Sequence, residues 1–175
     1  MNTDCMPRST HDCGEREEPG SSAEGDGPPE PADRPAPHTI ELVPGNGVAA
    51  GPWLSALQTA TQNVLPLLPR SVARVSVRFV HDPEMIELHA QWHGINSTTD
   101  VITFEHAVDG PLEVDLAVCV DEAARAASTR KHDAQAELLL YILHGLLHCC
   151  GFNDSTEEES LAMHHEEDRL LAAMG

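Results

Sequence analysis

The chain lacks the segments that would place it in or across a membrane. None of its 175 residues belongs to an apolar run of membrane-spanning length, which requires about 20 consecutive apolar residues. The N-terminal region also lacks the apolar stretch of a secretory signal peptide. These absences argue against a transmembrane protein and predict that the chain is cytoplasmic.

Basic side chains are scarce, with 10 Lys and Arg against 29 Asp and Glu and a net charge of −19. A uniformly acidic surface repels phosphate, so the composition argues against loose binding to nucleic acid. Two groups of basic residues are candidates for a local basic groove, although solvated surface charge is the simpler interpretation. They are Arg70, Arg74 and Arg78 near one strand, and Arg125, Arg130 and Lys131 near one helix.

The first 38 residues differ in composition from the rest of the chain. They are crowded with Pro, Gly, Ser, Asp and Glu and have almost no large apolar side chains. Such a segment cannot bury enough apolar surface to offset the entropy lost on ordering. The sequence therefore predicts a disordered acidic tail at residues 1–38 and a single domain at residues 39–175. The five cysteines show no spacing of a disulfide framework, which predicts reduced thiols.

Hydrophobic periodicity predicts alternating strands and helices along the domain. Strands are predicted at residues 39–43, 72–80, 100–105 and 112–120, and helices at residues 53–65, 82–94, 121–128 and 134–150 and near the C-terminus. Asp82 is a predicted helix cap, Asp121 opens the third helix, and Ser155 with Glu158 fits a capping box. This order indicates an α+β fold.

The most informative segment is residues 144–154, HGLLHCCGFND. His144 and His148 are four residues apart, so on a helix both imidazoles can point at one ion. Gly151 can end that helix in the left-handed conformation, and the returning chain then brings Asp154 to the same ion. Two imidazoles and a carboxylate suit zinc and leave a fourth position open, as in catalytic sites. The segment predicts one zinc ion per chain.

Other interpretations of this segment stay open. A histidine in an apolar helix can also be a core residue that only hydrogen-bonds a neighbour. His164 and His165 on the last helix are alternative third ligands, but the turn delivers Asp154 directly. Cys149 and Cys150 could bind zinc, but as sequence neighbours of the second histidine they point away from its face and are interpreted as packed side chains.

Gly145 stands where zinc peptidases of the His-Glu-x-x-His type carry the glutamate that acts as general base. A glycine cannot move a proton, and in a helix it costs about 1 kcal/mol relative to alanine. Its predicted role is to let another backbone or the substrate approach closely. The segment thus predicts a metal ion without the usual proteolytic machinery.

Two further polar features precede or interrupt strands. Thr98, Thr99 and Asp100 lie at a loop-to-strand junction, where such side chains can bind phosphate or a substrate backbone, although they more often satisfy turn amides. Asp115 interrupts an apolar strand. It either faces solvent or holds a partner such as a ligand imidazole.

Three segments, taken in order, resemble the YbeY family of bacterial endoribonucleases. They are residues 99–104 (TDVITF), 114–116 (VDL) and 144–154. The resemblance covers the chain from about residue 39 to Met174 and leaves out the tail. It implies a mixed sheet flanked by helices, one zinc per chain, and maturation of ribosomal RNA, notably the 3′ end of the small-subunit RNA, with a part in ribosome quality control.

The chain departs from the family's pattern at several positions. The family's usual third ligand is a histidine, whereas this chain has Asp154, which is a competent zinc ligand. His93, which follows the aromatic Trp92, replaces an arginine thought to contact RNA phosphate, and histidine is a weaker base. Three other replacements are Phe152 and Asn153 for a Tyr–Asp pair and Val114 for a glycine.

The sequence therefore predicts a zinc-dependent, single-strand-specific endoribonuclease that acts on ribosomal RNA precursors. Its expected partners are ribosomal RNA and ribosomal subunits, with no binding to membranes or DNA. The predicted catalytic residues are His144, His148, Asp154 and His93, and residues 98–100 are expected to line the substrate groove. A metallopeptidase-like hydrolase and a non-catalytic, zinc-stabilised ribosome-assembly factor are the alternatives, because no side chain of the motif is an obvious general base.

Overall fold

One mixed sheet of four strands organises the part of the chain that the computed structural model describes, residues 38–106 and 109–173. The strands are β1 (Thr39–Pro44), β2 (Val72–Val80), β3 (Val101–Glu105) and β4 (Leu112–Cys119). Their order is β1-β2-β4-β3, in which β1, β2 and β4 run parallel and β3 is antiparallel to β4. Parallel neighbours require crossover connections, and helices supply them.

Five helices lie within these described residues. They are α1 (Pro52–Val64), α2 (Asp82–His93), α3 (Val120–Arg130), α4 (Ala134–Cys149) and α5 (Glu157–Ala172). After α1 the chain tightens into a 3-10 turn, Leu65–Leu67, because Pro66 cannot donate the next helical hydrogen bond. Across the described ranges, none of the helices has both the length and the apolar character needed to cross a bilayer.

The two faces of the sheet are covered unequally. Successive strand residues point to opposite faces, and one face of β2 and β4 packs under α1, α4 and α5 to form the larger core. Its buried strand residues are Val72, Val75, Val77, Phe79, Leu112, Val114, Leu116 and Val118. The smaller cluster on the other face lies under α2. Its buried members are Val80, Met85, Ile102, Ala117 and Cys119.

Helix α4 is the central helix of the larger core, because it packs on β3 and β4 and against α1, α3 and α5. Burial on several sides explains why its sequence is apolar nearly all round. Its fully buried apolar side chains are Ile142, Leu143, Leu146 and Leu147. Each such side chain stabilises the fold by about 1.5–3 kcal/mol relative to exposure, so the position of α4 on the sheet is strongly held.

Gly145 is a buried residue of α4 that lies against the sheet. A Cβ atom at this position would be 3.1 Å from side-chain carbons of Leu116 and Thr103 and 3.2 Å from one of Val101. The close approach predicted for Gly145 therefore involves side chains of β3 and β4. It does not involve a backbone segment or leave room for substrate.

The structure corrects the predicted cap of α2 and the predicted start of α3. The N-cap of α2 is His81, whose side chain makes no capping hydrogen bond, and Asp82 is the first helical residue. Helix α3 begins at Val120 rather than Asp121. The Asp121 carboxylate instead accepts the backbone N–H of Asp82 at 2.9 Å, so it satisfies the N-terminus of the neighbouring helix.

The capping box of α5 lies one residue later than predicted. The Thr156 side chain accepts the backbone N–H of Glu159, whose carboxylate accepts the Thr156 N–H in return, so Ser155 and Glu158 do not form the box. The mixed sheet flanked by helices confirms the predicted fold class. The predicted tail at residues 1–38 lies, apart from His38, outside the described residues.

Candidate metal centre

The two predicted histidines and the predicted aspartate converge at the C-terminal end of α4. The Nε2 atoms of His144 and His148 are 3.0 Å apart, and Asp154 Oδ2 is 3.7 Å from the His144 Nε2 atom. One ligand atom from each residue lies within 4.8 Å of the other two. The spacing at i and i+4 on one helix face and the return of the chain therefore produce the arrangement that the sequence predicted.

A Schellman turn after α4 brings Asp154 to the histidines. Gly151 adopts a φ of 94°, its backbone N–H donates to the His148 carbonyl at 3.0 Å, and the Phe152 N–H donates to the Leu147 carbonyl at 3.1 Å. The Phe152 side chain packs against the larger core. A left-handed glycine followed by an anchored aromatic residue thus turns the chain back toward the helix.

Both histidines are held by their Nδ1 atoms. His148 Nδ1 lies 3.0 Å from the carbonyl oxygen of Phe152, which can only accept, so this nitrogen carries the proton. His144 Nδ1 lies 2.8 Å from the Oε1 atom of the buried Glu167, whose carboxylate accepts the hydrogen bond. In the neutral imidazoles, the Nε2 atoms are therefore unprotonated and offer their lone pairs to the same point.

Two facing lone pairs 3.0 Å apart require a positive charge between them. The pKa of His144 is raised above its ordinary value, first by the hydrogen bond to Glu167 and further by the charges of Asp100 and Asp154. A proton or a metal ion can supply the positive charge, and two imidazoles with a carboxylate are a donor set that zinc accepts. The residues present therefore fit a zinc ion.

Glu167 is the site residue that the sequence analysis missed. Its side chain is 5% exposed, on a helix that also carries several exposed acidic residues. A carboxylate that accepts from a ligand histidine fixes the ring and raises its basicity. The available signal was its place in the buried stripe of α5, where Met163 and Leu170 are its neighbours at i−4 and i+3.

The site is open on the side of Asp154, whose side chain is 51% exposed. A group from solvent can therefore reach a fourth coordination position. The residue after the first histidine, Gly145, faces the sheet rather than this opening. A side chain there would not reach a bound water, which removes the geometric basis for a peptidase-type general base at this position.

Within residues 98–100, Thr98 and Asp100 hydrogen-bond to different parts of the structure. Thr98 Oγ1 donates to the carboxylate of Asp82, at the start of α2, at 3.1 Å. Asp100 Oδ1 accepts from Thr99 Oγ1 at 3.0 Å and from the next backbone N–H at 2.8 Å. Only Asp100 has a described effect on the histidine pair, because its charge contributes to the raised pKa of His144.

His93 lies on α2, which packs on the other face of the sheet from α4. Its ring contacts that of His89 on the same helix, with centroids 5.4 Å apart. The described contacts do not connect it to the metal ligands, and its predicted catalytic role stays a prediction.

The rival ligands stand apart from the cluster in the described part of the chain. His164 and His165 are exposed on α5, which contributes Glu167 instead. Cys149 and Cys150 are half-buried against the larger core. Burial raises the pKa of the Cys149 thiol to about 11 and that of Cys150 above its ordinary value, which disfavours the thiolate form that binds metal.

The candidate basic groove does not form, because its arginines pair with acids. The pairs are Arg70–Glu105, Arg74–Asp115, Arg78–Glu84, Arg125–Asp82 and Arg130–Glu137. Asp115 also accepts from the His106 imidazole at 2.6 Å. Asp115 thus has an imidazole partner, as one of the two interpretations predicted, but His106 is not one of the candidate metal ligands.

Fold and site together define a small mixed-sheet protein with a solvent-accessible cluster of two histidines and one carboxylate that could hold a metal ion. The profile of the family described as endoribonuclease YbeY matches residues 51–175. The chain belongs to this family, whose members are named as endoribonucleases.

Individual relatives agree with this assignment. An endoribonuclease YbeY of Anaeromyxobacter sp. (strain Fw109-5) is 34% identical over 122 residues, which are 68% of this chain and 64% of the relative. A chloroplastic endoribonuclease YBEY of Arabidopsis thaliana is 31% identical over 127 residues, 69% of this chain but 22% of the plant protein. A solution structure of a Thermotoga maritima protein shares the fold, with a TM-score of 0.55 at 24% identity, covering 77% of this chain and 88% of that one.

Proposed function

We propose that this protein is a zinc-dependent, single-strand-specific endoribonuclease that acts on ribosomal RNA precursors in the cytoplasm. The observation that carries the proposal is the pair of Nε2 atoms of His144 and His148, 3.0 Å apart beside the exposed Asp154. This donor set in a family of endoribonucleases supports metal-assisted cleavage of RNA. The small-subunit RNA 3′ end is the substrate that the family resemblance favours.

The zinc ion, when bound, would polarise a phosphoryl oxygen or lower the pKa of a water molecule. His144, His148 and Asp154 would hold it, and Glu167 would keep the His144 ring oriented. The Asp154 carboxylate would reduce the net charge at the ion by one unit relative to a third neutral histidine. We expect this lower charge to attract a phosphate oxygen less strongly.

Asp100 is the side chain that we propose as proton acceptor. Its Oδ1 atom holds two hydrogen bonds, and its Oδ2 atom has no partner among the described residues. The charge of Asp100 acts on His144, and its carboxylate oxygen could take the proton of a water that attacks the phosphodiester bond. The two hydrogen bonds to Oδ1 restrain the orientation of the carboxylate.

One observation favours a second candidate, a zinc-stabilised ribosome-assembly factor without catalytic activity. Six arginines pair with acids in the described structure, and the chain carries a net charge of −19. Weak attraction for phosphate makes productive RNA binding depend on a partner or on the metal itself.

Cleavage assays separate the candidates. The zinc-loaded full chain is incubated with end-labelled RNA that has both duplex and single-stranded segments, and separately with casein, beside the variants His148→Ala and Asp100→Asn. We expect cuts confined to single-stranded segments, no casein cleavage, loss of cutting in His148→Ala, and slow cutting with retained zinc in Asp100→Asn. Intact RNA with stoichiometric zinc would favour the assembly factor, and casein cleavage would contradict both.

A further inference from the structure

A second pair of histidines at metal-chelating spacing lies on α2, outside the site described above. His89 and His93 are four residues apart, with ring centroids separated by 5.4 Å and ring planes inclined by 66°. His93 is exposed and His89 is half-buried. Both rings therefore lie on one accessible face of the helix.

The orientation of His89 repeats that of His148. His89 Nδ1 lies 2.8 Å from the backbone carbonyl oxygen of Ser97, which can only accept, so Nδ1 carries the proton of the neutral ring. Gly94, with a φ of 72°, ends α2 and returns the chain to that position. The Nε2 atom of His89 is thereby left unprotonated, as metal coordination requires.

We propose that His89 and His93 form a second, surface site for a divalent transition-metal ion, for which imidazole is a suitable ligand. The two imidazoles provide two ligands, and water or an added ligand fills the remaining positions. Among the described residues, no third metal-binding side chain joins the pair. The site is consequently weaker than one with a carboxylate ligand, and it does not depend on RNA cleavage or on occupancy of the α4 site.

Zinc-binding stoichiometry tests the proposal in the full chain. Equilibrium dialysis against excess Zn²⁺ is carried out on wild type, His89→Ala, His93→Ala and His148→Ala. The matched control is His165→Ala, an exposed helical histidine without a histidine partner at i±4. Circular dichroism checks that each variant is folded. We expect the spectrum of His93→Ala to match that of wild type, because His93 is exposed.

We expect His89→Ala and His93→Ala each to bind one ion fewer than wild type, or to bind the second ion at least about tenfold more weakly. His165→Ala should match wild type. Failure of the α4 site would appear separately, as equal zinc in His148→Ala and wild type. Equal stoichiometry together with equal affinity for the second ion in His93→Ala and wild type, or the same loss in His165→Ala, would overturn the proposal.

Discussion

The two His-x-x-x-His pairs have the same spacing on two helices but very different support. The α4 pair lies on a packed core. The buried Glu167 carboxylate accepts from His144, the Phe152 carbonyl accepts from His148, and Asp154 provides a candidate third ligand. The α2 pair is largely exposed, with one carbonyl behind one ring and no described third ligand. The i, i+4 spacing permits chelation by two imidazoles, whereas the surrounding hydrogen bonds and a third ligand determine the affinity for the ion.

The largest effect is expected for loss of a ligand in the α4 pair. His148→Ala removes one of three donors from the better supported site, so we expect most of the tightly bound zinc to be lost. Elemental analysis of purified protein measures this, with His93→Ala as the variant that removes the equivalent residue of α2. Equal loss of tightly bound zinc from His148→Ala and His93→Ala would contradict the expectation that the α4 pair binds zinc more tightly than the α2 pair.

The third ligand is tested by two substitutions of Asp154. Asp154→Ala should weaken zinc binding by at least about 10–100-fold, because direct ligands count for at least as much as the groups behind them. Asp154→His should retain zinc and shift the pH–activity profile toward lower pH, because a more positive ion stabilises a bound hydroxide better. Competition with a fluorescent chelator gives the affinities. Unchanged affinity in Asp154→Ala would remove it from the ligand set and make His164 and His165 the next candidates.

A substitution of Glu167 tests whether the carboxylate that accepts from His144 Nδ1 contributes to zinc affinity. Glu167→Gln keeps the size of the side chain but removes its charge, and we expect zinc affinity to fall by about 10–100-fold. In the metal-free protein, the pKa of His144 should also fall, because the hydrogen bond to Glu167 is the main cause of its raised value. NMR titration of the imidazole follows this change.

The matched control for Glu167 is Glu166→Gln, since Glu166 pairs with Arg169 and not with a histidine. It should leave both zinc affinity and the His144 pKa unchanged. An equal fall in both variants would show a general charge effect instead of a specific contact.

The smallest effect concerns the residue after the first histidine of each pair, which is Gly145 in α4 and Ala90 in α2. Gly145→Ala gains about 1 kcal/mol in helix propensity, but the new Cβ is crowded at 3.1–3.2 Å by three sheet side chains. Overpacking costs about 1–3 kcal/mol, so we expect a small net loss of stability. Ala90→Gly should lose about 0.5–1 kcal/mol from propensity alone. Urea unfolding measures both, and a stabilised Gly145→Ala would show that α4 can move off the sheet.

The local part of the site was predictable because a single helix and its terminal turn contain all three candidate ligands. His144, His148, Gly151 and Asp154 span eleven residues, and the periodicity of a helix and the conformational freedom of glycine determine their geometry. Glu167 was not predictable, because its contact with His144 depends on how α5 packs against α4.

The order of the strands in the sheet was also not predictable from the sequence. Alternating apolar residues predicted the strands, but not the placement of β4 between β2 and β3. Asp115 therefore could not be assigned its partner, since Arg74 reaches it from the adjacent strand β2 and His106 from the end of β3. Residues 98–100 form one polar cluster in the sequence, whereas in the structure Thr98 donates to Asp82 at the start of α2.

Zinc K-edge X-ray absorption of the full chain, loaded with one equivalent of zinc, tests directly whether His144, His148 and Asp154 bind the ion. We predict a first shell of nitrogen and oxygen at about 2.0–2.2 Å, outer-shell scattering from two imidazoles, and no sulfur at about 2.3 Å. The same spectrum should persist in His93→Ala and change in His148→Ala. A sulfur shell, or a spectrum unaltered by His148→Ala, would contradict a metal centre built from His144, His148 and Asp154.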